Sequence, residues 1–200
     1  MAATATFTGL SASTAAVANR FVTSTNMIVG AYTVANASPA WQGGCFITAT
    51  ITGVTGNDTP GTLIVVGTDL AGNAQTETIT LVAGGTATGS KVFRTVTSVT
   101  GAGWVISGGN DTIVVGCAAG SIACATSGTL FGVVVNTTAA AAVTLSDSVR
   151  TIATLKSSIA EGHYLYGGLG VDFVGYLKVA TTSTNDITVI HSPTRADGQS

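Results

Sequence analysis

Short apolar runs alternate with polar positions along most of this chain. Residues 46–52 show the pattern most clearly, because Ile47, Ala49 and Ile51 fall on one face and threonines fall on the other. Similar runs of Val, Ile and Thr recur between turns of Gly, Asn, Asp and Ser. No segment shows a convincing helical period. The pattern predicts an all-β fold, an antiparallel β-sandwich.

Two details of this pattern extend the prediction. Residues 171–179 alternate over nine positions and predict one continuous strand. Residues 101–106 and 112–115 flank the sequence Ser-Gly-Gly-Asn-Asp, which predicts a hairpin.

An Asn-Asp pair that feeds an apolar strand occurs at Asn57, Asn110 and Asn185, either as an internal repeat or by chance. Read as a repeat, it suggests two successive β-domains, separated by a stretch of small residues after Gly116. The Ala-, Thr- and Ser-rich start reads as an extended arm. The predicted boundaries are 1–25 for the N-terminal arm, 26–117 for a β-sandwich domain, 118–128 for a linker, 129–193 for a second β-domain and 194–200 for a C-terminal tail.

Charge is scarce in this sequence. Seven Lys+Arg and nine Asp+Glu make up 8% of 200 residues, with a formal net charge of −2, against about 25% charged residues in a typical domain. The basic residues are scattered, which argues against binding of nucleic acid. The 46% hydrophobic content argues against a disordered chain.

The high mean hydropathy of +0.52 does not come from a membrane span. No run of about 18 apolar residues occurs, and the start of the chain resembles no secretory signal. We therefore expect neither membrane insertion nor a cleaved leader. Low charge and high hydropathy together favour a surface that is largely covered by other protein.

Candidate chemistry is sparse. His163 and His191 are the two histidines, and no Gly-x-Ser-x-Gly elbow, Cys-x-x-Cys or His-Glu-x-x-His motif accompanies them. The sequence therefore predicts no enzyme, no metal site and no cofactor. A hydrolase built on a β-sandwich stays open as a third class of function, with these histidines as its test.

The three cysteines, Cys45, Cys117 and Cys124, leave two interpretations open. Synthesis inside a cell favours reduced thiols. A disulfide between Cys117 and Cys124 would close a small loop and leave Cys45 free, and in an oxidising medium bridges within or between chains are possible.

One part of the sequence resembles a known group of proteins. Residues 61–81, which contain Ile-Val-Val-Gly-Thr-Asp-Leu-Ala-Gly-Asn and Thr-Glu-Thr-Ile, and residues 91–99, Lys-Val-Phe-Arg-Thr-Val-Thr-Ser-Val, resemble small β-sandwich virion proteins of tailed bacteriophages. The likeness covers roughly residues 47–116. Residues 143–164 and 170–191 are similar to a second β-module of phage head and fibre proteins.

The resemblance implies a structural component of the virion, a capsid decoration (cement) protein that binds the outer head shell. Its partners would be copies of itself, as a trimer, and the major capsid protein. A tail, head-tail connector or fibre module that binds a receptor is the alternative, and aromatics such as Trp41 and Trp104 on one face would favour a glycan-binding fibre. We expect the arm to lie along a neighbouring subunit by strand addition. Its candidate interface residues are Phe7, Leu10, Phe21 and Met27.

Overall fold

Strands dominate the computed structural model of this chain, which describes residues 5–53, 58–105, 111–167 and 170–193. A 3-10 helix, Met27–Val29, follows the second strand. In chain order the strands of the described residues are β1 (Thr6–Leu10), β2 (Val17–Asn26), β3 (Ala31–Tyr32), β4 (Cys45–Thr52), β5 (Thr62–Thr68), β6 (Ala74–Thr80), β7 (Thr86–Phe93), β8 (Thr95–Ala102), β9 (Thr112–Cys117), β10 (Ser121–Cys124), β11 (Gly128–Val135), β12 (Val143–Ser146), β13 (Thr151–Leu155), β14 (Gly162–Leu165), β15 (Val171–Phe173), β16 (Leu177–Thr181) and β17 (Ile187–Pro193). The all-β antiparallel fold is therefore confirmed.

The backbone divides into two compact units. Unit 1 comprises the described residues of 1–15, 41–43 and 120–200, and unit 2 those of 16–40 and 44–119. Each unit contains two antiparallel sheets. We name each sheet after one of its central strands.

Unit 2 contains the β4 sheet, in the order β2-β9-β4-β7, and the β5 sheet, in the order β3-β8-β5-β6. Strand β4 alternates as predicted, with Ile47, Ala49 and Ile51 buried and threonines between them. On the other face, the hydroxyls of Thr50 and Thr86 are 2.7 Å apart across β4 and β7. Threonine suits such positions because its branched side chain packs on a pleated surface while its hydroxyl pairs across strands.

Unit 1 contains the β11 sheet, in the order β1-β17-β11-β14 with β15 also paired to β11, and the β12 sheet, in the order β10-β16-β12-β13. Leu130 and Val189 of the first sheet belong to the same buried cluster as Leu145 and Val179 of the second. The two sheets therefore enclose a common core, as in a β-sandwich.

The predicted N-terminal arm of residues 1–25 is wrong for the residues that the structure describes. Strand β1 pairs with β17 at one edge of the β11 sheet, and β2 pairs with β9 at one edge of the β4 sheet. Although the segment is rich in small residues, Leu10 in β1 and Phe21 in β2 supply large buried side chains. The segment is thus part of both units.

The predicted linker of residues 118–128 also needs correction, because Ser121–Cys124 forms β10 and pairs with β16. In this part of the chain, unit 2 ends at residue 119 and unit 1 resumes at residue 120. The predicted tail of residues 194–200 lies outside the described residues.

Two predictions about strands are wrong: one continuous strand and one hairpin. The strand predicted over residues 171–179 is two strands in different sheets, β15 and β16. Between them Gly175 adopts a φ of 76°, which glycine reaches without the steric cost that other residues meet. The predicted hairpin does not form, since β9 pairs with β2 and β4 whereas β8 pairs with β3 and β5. Most of its predicted turn lies outside the described residues.

Candidate interaction surface

Of the four residues predicted as an interface arm, only Phe7 is available to a partner. Its side chain is 67% exposed, whereas Leu10, Phe21 and Met27 are at most 2% exposed. Leu10 belongs to the core cluster of unit 1. The prediction is therefore wrong for these three residues, because β1 and β2 bury Leu10 and Phe21, and the 3-10 helix buries Met27.

Phe7 begins an apolar row that crosses the β11 sheet. Phe7 lies opposite Ile190, Ile190 lies opposite Gly132, and Gly132 lies opposite Leu165. Adjacent strands are about 4.8 Å apart, so a row across four strands spans about 14 Å. Leu165 is 64% exposed, and Ile190 is half-buried. We call Phe7, Ile190, Gly132 and Leu165 the apolar row.

Gly132 allows the row to be continuous. A Cβ atom at this position would lie 2.8 Å from Cδ2 of Leu165 and 2.6 Å from the carbonyl oxygen of Tyr164. The side chain of Leu165 therefore extends over the glycine toward the middle of the sheet. Any larger residue at position 132 would push Leu165 away.

The strands around the row carry almost no charge. Among the described residues of β1, β11, β14, β15 and β17, Asp172 is the only Asp, Glu, Lys or Arg. Its carboxylate accepts a hydrogen bond from the hydroxyl of Thr129 at 2.8 Å. Exposed sheet edges usually carry charged side chains that prevent association. The β1 edge has none, so it lacks this protection.

The alternation of apolar and polar positions predicted strands near Leu165 and Ile190 but not the apolar row. A row becomes visible only when the registers of four strands are combined. The sequence did contain a weak signal, because Leu165 and Ile190 are apolar residues at positions that face outward. Single apolar residues at outward positions occur in many strands, so this signal does not distinguish an interaction surface.

The cysteines are arranged differently from the predicted bridge. Cys117 contacts Cys45, with the two Sγ atoms 2.7 Å apart, and both side chains are fully buried in unit 2. Cys124 lies in the core cluster of unit 1, where its Sγ contacts the carbonyl oxygen of Thr126 at 3.4 Å. The structure thus pairs Cys117 with Cys45 rather than with Cys124.

Several buried carboxylates serve the fold. Glu77, in β6, accepts hydrogen bonds from the hydroxyl of Ser90 at 3.0 Å and from the amide of Lys91 at 3.1 Å, both in β7. It therefore links the β5 sheet to the β4 sheet. Glu77 belongs to the Thr-Glu-Thr-Ile segment and Lys91 opens the Lys-Val-Phe segment, so this bond connects two segments that are distant in sequence.

Asp147 organises the turn after β12. It accepts hydrogen bonds from the amides of Val149 and Arg150 at 2.7 Å each, and from the amide of Val174 at 3.2 Å. Burial by itself would raise the pKa of this carboxyl, but these amides and the Arg150 guanidinium hold the pKa below its ordinary value. The carboxylate therefore holds the connection between β15 and β16 against the β12–β13 turn.

The pKa of Asp111 is shifted in the opposite direction to that of Asp147. Its side chain is 1% exposed, and burial, a hydrogen bond with Asp58 and the charge of Asp58 raise its pKa. Its backbone carbonyl accepts a hydrogen bond from the amide of Met27 at 3.0 Å. This carboxyl is thus unfavourable as a buried charge at the position where β2 ends.

The two histidines do not face a common site. His163, in β14, is exposed, whereas His191, in β17, is 2% exposed. His191 Nε2 is 3.1 Å from the hydroxyl of Thr8, and burial lowers the pKa of its imidazole. The described residues contain no group of three His, Cys, Asp or Glu side chains that could hold a metal ion.

Neither Trp41 nor Trp104 is freely exposed. Trp41 is 6% exposed. Trp104 stacks obliquely near Tyr32, with ring centroids 6.4 Å apart, and its ring lies over Gly101, where an added Cβ would clash. Each tryptophan is thus engaged in packing.

Within the described part of the chain, no helix has the length and apolar character needed to cross a bilayer. Comparison with protein-family models, with curated proteins and with solved structures finds no significant match to this chain.

Proposed function

We propose that this protein is a non-enzymatic structural subunit of a tailed-bacteriophage particle, a capsid decoration (cement) protein that binds the outer head shell. The observation that carries the proposal is the apolar row across the β11 sheet. Phe7 and Leu165 are about two-thirds exposed, and the surrounding strands are nearly free of charge.

Such a surface is poorly suited to a free monomer. Interface cores are depleted in charged residues and enriched in aromatics, and obligate interfaces resemble a domain core cut in half. The overall charge content of 8% fits the same interpretation. We infer that the row is covered by another copy of this chain, in a trimer, or by the major capsid protein.

Binding alone would stabilise the particle. A protein that binds only the assembled shell shifts the equilibrium toward the assembled state by mass action, without catalysis. The phage resemblance of residues 61–81 and 91–99 supports a place in the virion, where the protein would arrive after synthesis in the host cytoplasm.

The self-association part is tested with the double variant Phe7→Ser plus Leu165→Ser. Light scattering coupled to size exclusion should find the unaltered protein as an oligomer and the double variant as a monomer, with similar thermal stability. Val149→Ser is the matched control, because Val149 is 77% exposed in the same unit but lies outside the row. An unaltered protein that stays monomeric at high concentration would argue against self-association through the row.

The virion part is tested by quantitative mass spectrometry of purified particles. Many copies per particle, removable from the outside of the shell, would support decoration. A few copies would favour the alternative, a tail, head-tail connector or fibre protein. Absence from particles would overturn both.

A further inference from the structure

Two cysteines that are far apart in sequence share one buried site in unit 2. Cys45 begins β4 and Cys117 ends β9, and these strands are antiparallel neighbours. Ile47 lies directly opposite Cys117, so Cys45 lies diagonally from Cys117. Side chains two residues apart on a strand point to the same face, and Cys45, Ile47 and Cys117 are all 0% exposed.

The two sulfur atoms are closer together than apolar groups in ordinary packing contact. They are 2.7 Å apart, whereas non-bonded carbon atoms pack at about 3.5–4.0 Å and bonded sulfurs lie about 2.05 Å apart. Both cysteines carry free thiols in the structure. The two side chains therefore already point at each other, and a small approach of the sulfurs would bring them to bonding distance.

We propose that Cys45 and Cys117 are a disulfide-forming pair that links β4 to β9 inside unit 2. Each thiol loses its hydrogen and the two sulfurs bond to each other. The two protons and two electrons pass to a small-molecule disulfide, such as oxidised glutathione, whose own bond breaks to give two thiols. Cys124 takes no part, because its Sγ contacts the carbonyl oxygen and the hydroxyl of Thr126 instead.

The folded protein protects this pair from reagents. The hydrogen bond with Cys117 and burial raise the pKa of Cys45, although the charge of Arg20 acts in the opposite direction. Since the thiolate is the reactive form, the folded Cys45 thiol exchanges slowly, and burial keeps reagents away from both sulfurs. The bond therefore forms while the chain folds, or when β4 and β9 separate.

The bond would stabilise unit 2 strongly. The two cysteines are 72 positions apart, and a cross-link that closes a long loop restricts the unfolded chain more than one that closes a short loop. We expect the melting temperature of the oxidised protein to exceed that of the reduced protein by on the order of 10 °C.

Thiol counting under denaturing conditions tests the pairing. The full chain is refolded with a mixture of reduced and oxidised glutathione, and its thiols are then titrated. The unaltered protein should retain one thiol, Cys124→Ala none, and Cys117→Ala two. A Cys124→Ala protein that keeps both thiols would overturn the proposal, as would a Cys45→Ala protein that loses both.

A measurement on the unaltered chain guards against variants that fail to fold. The remaining thiol is alkylated, and fragment-ion sequencing of the tryptic peptide 95–150 distinguishes Cys117 from Cys124. A label on Cys124 supports the pair, and a label on Cys117 overturns it. Oxidant added to the folded, reduced protein should act much more slowly than oxidant present during refolding. Equal rates of disulfide formation under the two conditions would show that the folded protein does not protect the thiols.

Discussion

Strands β1 and β2 come from the same Ala-, Thr- and Ser-rich stretch, but they join different units. β1 has five residues and buries one of them, Leu10. β2 has ten residues and buries Phe21 and Val22. Phe7 in β1 stays exposed while Phe21 in β2 is fully buried. The comparison shows that two edge strands of similar composition differ in function: β1 presents a surface, and β2 completes a core.

The largest expected effect comes from deleting residues 1–25. This deletion removes β1 and all of β2 except Asn26, so β9 loses a partner strand and unit 2 loses Phe21 and Val22. We expect loss of cooperative thermal unfolding by circular dichroism. Deletion of residues 1–10, which removes only β1, should keep a cooperative transition at a lower temperature. A stably folded product of the longer deletion would revive the interpretation of this segment as an arm.

The second test is a single substitution in β2. Phe21→Ala should lower the free energy of unfolding by about 3–5 kcal/mol, because it leaves a cavity in the core. Urea denaturation measures this change. Thr23→Ala, at an exposed position of the same strand, should change stability by less than about 0.5 kcal/mol. Equal effects of the two substitutions would contradict the core role of β2.

The third test uses pH to loosen β1. Burial lowers the pKa of His191 in the folded protein below the ordinary value of 6.5, so the unfolded state binds a proton first as the pH falls. Stability conferred by neutral His191 is therefore full above the ordinary pKa and lost as the pH falls toward the folded pKa. Hydrogen exchange in β1, corrected for intrinsic rates, should lose protection by at most about tenfold per pH unit. His191→Gln should abolish this dependence and His163→Gln should retain it.

The fourth test concerns the end of β2. The pKa of Asp111 is raised in the folded state above its ordinary value of 3.8. Between these two pKa values the folded protein binds more protons than the unfolded one, so its stability falls as the pH rises from 3.8 through the folded pKa. Asp111→Asn should therefore raise the melting temperature at neutral pH. Asp69→Asn should lower it, because a hydrogen bond from the Asn73 side chain and backbone amides depress the pKa of Asp69. Thermal melts at acidic and neutral pH measure the change in melting temperature of both variants. Changes in the same direction at neutral pH would contradict the opposite pKa shifts of the two carboxyls.

The smallest effect on stability is expected at Phe7. Phe7→Ser should change the free energy of unfolding by less than about 0.5 kcal/mol, because the side chain is mostly exposed. It should nevertheless weaken self-association, which sedimentation velocity measures. A large loss of stability without a change in association would place Phe7 with Phe21 as a core residue.

Much of the fold was predictable because alternation with period two is a local property. The buried face of β4 and the exposed threonines of β6 follow directly from the order of residues. The break between β15 and β16 was not predictable in the same way. Residues 171–179 alternate across it. The break depends on Gly175, at a φ of 76°, and on hydrogen bonds to distant residues, such as the one that the Val174 amide donates to Asp147.

The candidate surface and the thiol pair were less predictable. The apolar row requires three registers between strands separated by long stretches of chain. Cys117 is closer in sequence to Cys124 than to Cys45, which made the shorter loop the natural pairing to consider. Neighbouring strands in an antiparallel sheet can bring distant residues together, and sequence separation does not indicate which ones.

By itself, the sequence determined that this chain is all-β, that few of its residues are charged, and that threonines alternate with buried apolar residues in strands such as β4. These properties follow from side-chain periodicity, which is local, and from composition, which is a sum over all residues. Tertiary structure alone decided that Phe21 is core while Phe7 is surface, that Cys45 meets Cys117, and that four strands form one apolar row. Each depends on which strands pair and in what register, and a shift of one residue would turn every side chain to the opposite face.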